Sequence, residues 1–414
     1  MYMTGYLFMD RIEIEKLLQK SKELIPGGCQ TISKRPANFS DEGWPSFYSR
    51  ADGSQVFDLN GKPYTDYVLA LGPIILGYNH PVVTERVKRQ LDIGILTSLQ
   101  SPLEIELSEK LVEIIPCAEM VRLFKTGADA VTAGVRLARA VTGRSHVLSC
   151  GYSGWHDWWV AKNPYSDSAK GVLAGTSTFT HDIPYGNVTA VEQIVDEIGS
   201  DIACIVVEPI ISTDNDYLKF IREISTRLGA VLIFDEIVTG FRLALGGAQK
   251  LYGVTPDLCT LGKGMANGFP LSALVGHREI MREMESLWIS STYAGESASI
   301  AASLATIEEL EKPGTYQRLW AMGDRLAAAW KSSANGSESI QIIGGGPMPQ
   351  LRMVTAEGEL DAEADHSLVE HFLDHKILWR RDHCAFISLA HSDSDIDRLI
   401  EISAAKLQKG EHVV

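Results

Sequence analysis

The 414-residue chain lacks the features that would place it in a membrane, on a nucleic acid or among disulfide-bonded extracellular proteins. No run of about 18 apolar residues occurs, so no membrane-spanning helix is expected. Clustered Lys and Arg are missing as well. The formal charge of −15 opposes the phosphate contacts that nucleic acids and anionic membranes require. The six cysteines, Cys29, Cys117, Cys150, Cys204, Cys259 and Cys384, stand without close pairs. Such scattering is typical of thiols in a reducing compartment, and the cytoplasm is the expected location. The opening MYMTGYLFMDRIEIEK has no basic segment, and its apolar stretch stops at Asp10 and Arg11, which makes a poor signal peptide. Internal repeats, low-complexity tracts and linkers are also missing. With 45% hydrophobic and 22% charged residues, the sequence is that of a globular protein longer than one hydrophobic core usually supports.

Two hydrophobic periods alternate along the chain. SEKLVEIIP and AVTAGVRLARAVTG have helical spacing punctuated by Pro or Gly, whereas DIACIVVEP and GAVLIFDE are short, β-branched apolar runs typical of buried parallel strands. Between those runs, YLKFIREISTRLG has a helical pattern ending at Gly229, which predicts a strand–helix–strand unit. The pattern recurs over residues 75–305 and predicts an open α/β domain, in which ligands bind beyond the carboxyl ends of the strands. Glu208 and Asp235 fall at such ends.

Downstream of Asp235, Lys263 sits in the glycine-rich stretch LCTLGKGMANGFPLSALVG. A lysine amine is nucleophilic only when unprotonated, and an apolar pocket or a nearby cation favours that form. Together with a strand-end carboxylate it matches the needs of pyridoxal phosphate: a lysine for the Schiff base and an acid that keeps the pyridine nitrogen protonated. Taken alone, a lysine between glycines is more often a solvated loop residue. In KTGADAVTAGVRLARA, Thr126, Gly127 and Ala128 open a helix. Its free N–H groups would suit a phosphate, and Thr126 would equally serve as an ordinary N-cap. Arg242 has two readings, a carboxylate fork or an ion-pair partner of Glu236 or Asp235, and its closeness to the strand favours the structural one. His371 and His375 have metal-ligand spacing without further ligands, so a solvated helix face is expected and no metal is assigned. GGGPMPQ at 344–350 lacks the Lys and Ser/Thr of a phosphate loop and reads as a turn.

Taken in order, IPGG, RADGSQVFDLNGKPYTDYV, LGPIILGYNHP, VRLFKTGADAVTAGVRLARAVTGR, IACIVVEPI, LIFDEIVTGFR, YGVTPDLCTLGKGM, STYAG and FISLAH span nearly the whole chain. This series resembles the class III aminotransferases of pyridoxal phosphate fold type I, most closely the glutamate-1-semialdehyde aminomutase branch. The resemblance implies a large α/β domain with a mostly parallel central sheet at 75–305. Segments 1–74 and 306–414 would combine as a smaller α+β domain. It also implies pyridoxal 5'-phosphate held by Lys263, with Asp235 at its ring nitrogen, Tyr152 on one ring face, Ile237 on the other and Glu208 orienting the ring. The phosphate would lie in the Thr126, Gly127 and Ala128 cup. Thr292 would reach it from the second subunit of a homodimer, whose active sites would then be shared. Where relatives read Ser-Gly-Thr-Glu, this chain reads Thr-Gly-Ala-Asp, losing a hydroxyl and shortening the acid. In isolation Tyr152 reads as part of an aromatic cluster with Trp155, Trp158 and Trp159, and Glu208 as the cap of the following turn.

Departures from the aminomutase pattern concentrate where substrate would bind. Thr31-Ile32-Ser33-Lys34 replaces Ser-Pro-Val-Arg, Leu71 replaces a tryptophan, His383 a glutamate, and Glu296-Ser297 an Asn-Pro pair. Lys34, Leu71, Trp155 and His383 are therefore the candidate substrate residues. Retained cofactor residues beside an altered pocket predict an aminotransferase working by a ping-pong mechanism. Its amino donor would be a small molecule, with glutamate suggested by related enzymes, and its acceptor an aldehyde or ketone. An aminomutase and a cofactor-binding protein without turnover are the rival readings.

Overall fold

The computed structural model describes residues 9–40, 43–162, 169–210 and 215–407; the first eight residues of the opening segment lie outside them. The chain forms two compact units, residues 81–316 and residues 1–80 with 317–414.

The first unit is built on a seven-stranded sheet. In chain order its strands are β1 (Met120–Phe124), β2 (His146–Cys150), β3 (Thr180–Asp182), β4 (Ile202–Val207), β5 (Val231–Glu236), β6 (Leu258–Leu261) and β7 (Ser272–Gly276). Their spatial order is β1-β7-β6-β5-β4-β2-β3. Strand β7 runs antiparallel to both neighbours and all other pairs are parallel, so six carboxyl ends share one edge. Every residue of β4 and β5 is buried, the physical reason for their continuous apolar sequence. Helix α1 (Gly127–Thr142) packs its small-residue face on the sheet. A Cβ placed on its Gly134 would lie 3.3 Å from Leu274, so a larger residue would push the helix off. Helix α2 (Asp216–Leu228) connects β4 to β5 and stops at Gly229, as the sequence pattern predicts.

Glu236 anchors the chain beyond β5. It is completely buried, and its carboxylate accepts hydrogen bonds from the Thr239 hydroxyl at 3.2 Å, the Gln249 N–H at 3.2 Å, the Gln249 side-chain amide at 3.1 Å and the Ala248 N–H. These donors belong to the turn after β5 and to the start of α3 (Gly247–Tyr252), a helix of only six residues. Helix α4 (Ser297–Leu310) is buried on nearly all sides, hence its apolar and small composition. Arg242 is also completely buried, near Tyr316.

The second unit is α+β. Its four-stranded sheet orders Tyr48–Asp52, Gln55–Asp58, Pro63–Asp66 and Ile377–Leu378, the last pairing in parallel. A tight aromatic core holds the Trp379 ring 4.9 Å from Phe372 and 5.9 Å from Trp330. Residues 344–349 form the turn joining strands Ile340–Ile343 and Gln350–Met353, so Gln350, expected in the turn, already belongs to the second strand. His371 is half-buried, its Nε2 pairing with the Ile402 carbonyl at 3.0 Å, whereas His375 is exposed just past the helix Ala362–Asp374, its Nδ1 pairing with the His371 carbonyl at 2.8 Å. The His371 carbonyl is among the last four of that helix, which lack an intrahelical donor, and the His375 ring supplies one. Among the described residues no helix is long and apolar enough to cross a membrane, and no group of three metal-ligating side chains occurs. All six cysteines are free thiols.

Glu236→Ala removes the acceptor for four buried donors. The variant is expected to lose roughly 3 kcal/mol of stability, seen as a lower urea midpoint of the cofactor-free protein. An unchanged midpoint would show that α3 is not held by this acid.

Candidate active site

The carboxyl edge of the large sheet gathers the residues singled out by sequence. Asp235, next to last in β5, is 3% exposed. Its Oδ1 accepts the Ile237 N–H and the Thr260 hydroxyl, each at 3.2 Å. Thr260 is its partner on β6 in the parallel register, so the strand pairing itself delivers the hydroxyl. Sequence reading missed Thr260; alternation along LCTL places it on the Asp235 side of the sheet. Burial pushes the Asp235 carboxyl up to about 6, against the opposing pull of the Ile237 N–H, the Lys263 charge and Thr260. Glu208, just past β4, is pushed up to about 7 by burial and by the Asp235 charge, while the Tyr152 N–H and Lys263 pull it down. Two acids that share one cation within reach define a polar pocket at the end of an apolar sheet.

Lys263 follows β6 after one glycine and opens a short turn, Lys263–Ala266. Its φ of 41° lies in the left-handed region, which costs a non-glycine residue about 1 kcal/mol or more. Strain of this kind persists where the surroundings over-determine the backbone. Ile237 is among those surroundings: a Cβ on Gly262 would meet its Cδ1 at 3.1 Å, and one on Gly127 would meet its Cγ1 at 3.0 Å. The Ile237 side chain therefore lies against both the lysine turn and the entrance of α1.

At that entrance Thr126 caps α1. Its hydroxyl accepts the Asp129 N–H at 3.2 Å and donates to Asp129 Oδ2 at 2.7 Å. Asp129 returns a bond to the Thr126 N–H at 3.3 Å, so the shorter acid still completes a capping box. Thr126 is thus the N-cap of its ordinary reading, and the next residues, Gly127 and Ala128, lie at the positive end of a 16-residue helix. The Ser272 hydroxyl donates to the Thr126 carbonyl at 2.6 Å and ties the cup to β7, a contact with no sequence signal. Across from the cup, a Cβ on Gly154 would strike the Ala128 Cβ at 2.6 Å.

Tyr152 donates its N–H to Glu208 Oε2 at 3.2 Å, and its ring stands edge-on to Trp159 at 5.0 Å. Gly151 has to be glycine: its φ is 96°, and a Cβ would sit 2.7 Å from that of Glu208. Trp155 is exposed, edge-on to His156. Thr292 lies exposed in the turn before α4. Asp235, Glu208, Tyr152, Ile237, Lys263 and the Thr126–Ala128 cup are thereby brought together within residues 81–316.

The other candidate substrate residues, Lys34, Leu71 and His383, belong to the second unit. Leu71 ends a left-handed run, Leu69–Ala70–Leu71, with φ of 46°, 59° and 75°. Asp66 steadies it, its Oδ1 accepting the Val68 N–H at 2.7 Å and the Leu69 N–H at 3.0 Å. Burial raises the Asp66 carboxyl, and Lys34 is near enough for its charge to oppose that rise. The Phe386 ring fills the space beside Gly72 and packs 5.4 Å from the His383 ring.

The raised acids have a measurable consequence. A carboxyl whose folded pKa exceeds its unfolded value binds protons more tightly when folded, so the cofactor-free protein loses stability as pH rises through this range. Asp235→Asn removes the Asp235 share. Its stability relative to the unaltered chain is expected to improve by about 1.5 kcal/mol between pH 5 and pH 8, followed by thermal or urea denaturation. A pH-independent difference would show that the acid is not desolvated.

Known proteins agree with this architecture. The aminotransferase class-III family matches residues 38–402. The chain is 36% identical to a glutamate-1-semialdehyde 2,1-aminomutase of Methanothermobacter thermautotrophicus, over 94% of this chain and 97% of the relative. It is 34% identical to a 3-aminobutyryl-CoA aminotransferase of Cloacimonas acidaminovorans, over 93% and 94%. In fold it matches the FumI protein of Sphingopyxis sp. MTA144, solved in its PLP internal aldimine form, with a TM-score of 0.87 at 24% identity over 97% and 98% of the two chains. Seven-stranded sheet, second α+β unit and family match agree, and the chain belongs to the class III aminotransferases.

Proposed function

We propose that this chain is a pyridoxal 5'-phosphate-dependent aminotransferase that moves an amino group between two separate small molecules by a ping-pong mechanism. The observation that carries the reading is the convergence of buried Asp235 with half-buried Glu208 and Lys263 at the entrance of a capped helix, at the sheet edge where open α/β folds bind ligands. These residues fit the cofactor. A buried carboxyl that burial drives up to about 6 regains its charge beside a protonated ring nitrogen, and the α1 N-terminus suits a phosphate. When bound, the cofactor supplies an electron sink for the substrate carbon. The chain's own groups do the rest. Asp235 holds the proton on the ring nitrogen, with Thr260 and the Ile237 N–H fixing its Oδ1. The Lys263 amine anchors the cofactor and then moves a proton to and from the substrate carbon. Tyr152 and Ile237 confine the ring, Glu208 orients it, and Thr292 completes the phosphate site in a homodimer.

Departures at Lys34, Leu71 and His383 favour two-substrate transamination over an aminomutase reaction. Family members of both kinds resemble the chain, so the decisive measurement is a half-reaction. The loaded enzyme given an amino donor alone, glutamate first, should release one carbonyl product per active site and change its visible absorbance. An aminomutase retains its product amine and releases none. No absorbance change with any donor in a broad panel would support a protein without turnover. The free thiols and the absence of a membrane-spanning helix among the described residues support a cytoplasmic setting.

Lys263→Ala should lower turnover about a thousandfold or more and abolish borohydride fixation of the cofactor. Mixing that variant with an inactive Thr292→Ala chain should restore activity, because one site of the hybrid dimer then holds both native residues. Failure to recover after verified subunit exchange overturns the shared site.

A further inference from the structure

On this reading two elements face the phosphate, the Thr126–Ala128 cup and the loop carrying Thr292, and within each chain they are tied to one another. Lys125, the residue before the cup, places Nζ 2.9 Å from Glu296 Oε2. Glu296 ends the Thr292 loop and caps α4. Its Oε1 accepts the Ala298 N–H at 2.7 Å, and its Oε2 accepts the Ser299 N–H at 3.2 Å and the Ser299 hydroxyl at 2.6 Å. The paired side chains are only 15% and 14% exposed, so solvent screens them far less than a surface pair. Although burial works against it, the Ser299 hydroxyl and Lys125 hold the Glu296 carboxyl below the usual range. The other end of the loop is fixed to the same element: Arg136 of α1 donates to the Trp288 carbonyl at 3.0 Å. Packing leaves the capped end no slack. A Cβ on Gly295 would stand 2.8 Å from the Glu104 carboxyl, and the Ser297 N–H donates to the Ile95 carbonyl at 2.8 Å.

A loop fixed at both ends to its own chain's cup and α1 has little freedom in where it carries Thr292. We propose that Lys125 and Glu296 form a positioning pair that holds the Thr292 loop in the place from which Thr292 reaches the partner subunit's phosphate site, and thereby selects a ligand carrying a phosphate. On this proposal both residues act through the position of the loop and not by contact with the phosphate. The inference rests on the pyridoxal phosphate reading, and the test separates the two.

Cofactor-free protein is titrated with pyridoxal 5'-phosphate and with pyridoxal, which lacks the phosphate, following absorbance and intrinsic fluorescence. Failure of the unaltered chain to bind pyridoxal phosphate overturns the underlying reading. Given binding, Lys125→Met, which leaves the α4 cap in place, should weaken pyridoxal phosphate roughly tenfold and pyridoxal less than about twofold, while Lys125→Arg retains near-native affinity. Glu296→Gln should weaken pyridoxal phosphate in the same selective way. Equal losses for both ligands, or no loss in Lys125→Met, overturn the pair's role. Tighter pyridoxal phosphate binding by Glu296→Gln also overturns it, since that result would make Lys125 a direct phosphate ligand released from its partner.

Discussion

A carboxylate held in a nearly water-free place governs this molecule. Asp235 lies next to the end of a fully buried strand, and the contacts that ease its burial come from separate parts of the fold: the Ile237 N–H of the next turn, Ser153 beyond β2, Thr260 of the adjacent strand and the charge of Lys263. None of them suffices to restore an ordinary carboxyl. The residual cost is what a cationic partner relieves, and a protein that carries such a cost without a ligand is built to be more stable with one.

Around that acid the backbone is shaped by close approach rather than by hydrogen bonding alone. Ile237 lies against two glycines, one before the lysine and one at the entrance of α1, and Gly154 faces Ala128 with no space for a side chain. The lysine turn sits in the left-handed region beside this contact. A ligand ring would therefore meet groups whose positions are fixed before it arrives, so that little ordering remains to oppose binding.

Legibility in the sequence tracks the type of force. Strands β4 and β5 and helix α2 can be read directly, since full burial leaves continuous apolar runs and Gly229 marks a helix end. Lys263 and Asp235 stand out as a chemical pair, and the resemblance adds Tyr152, Ile237, Glu208 and the cup. What stays hidden depends on contacts between residues distant in sequence. Thr260 meets Asp235 through strand register, Ser272 meets the Thr126 carbonyl across 146 positions, and Lys125 meets Glu296 across 171. His375 is exposed as its spacing suggests, but the half-burial of His371 cannot be read, because its acceptor, the Ile402 carbonyl, leaves no trace in a spacing rule.

Asp235 and Glu236 are consecutive residues of one strand, and alternation sends them to opposite faces, one toward the lysine and the other into the bonds that begin α3. A slip of β5 by a single residue during folding would exchange them. The longer acid would then point at the site, while the shorter one could not span to Gln249. Apolar strands such as VLIF tolerate misalignment, because one branched side chain resembles the next. Two adjacent acids of unequal length, each with its own set of donors, act instead as a key that fits in one alignment. The two acids at the end of β5 thus match a single alignment of the strand.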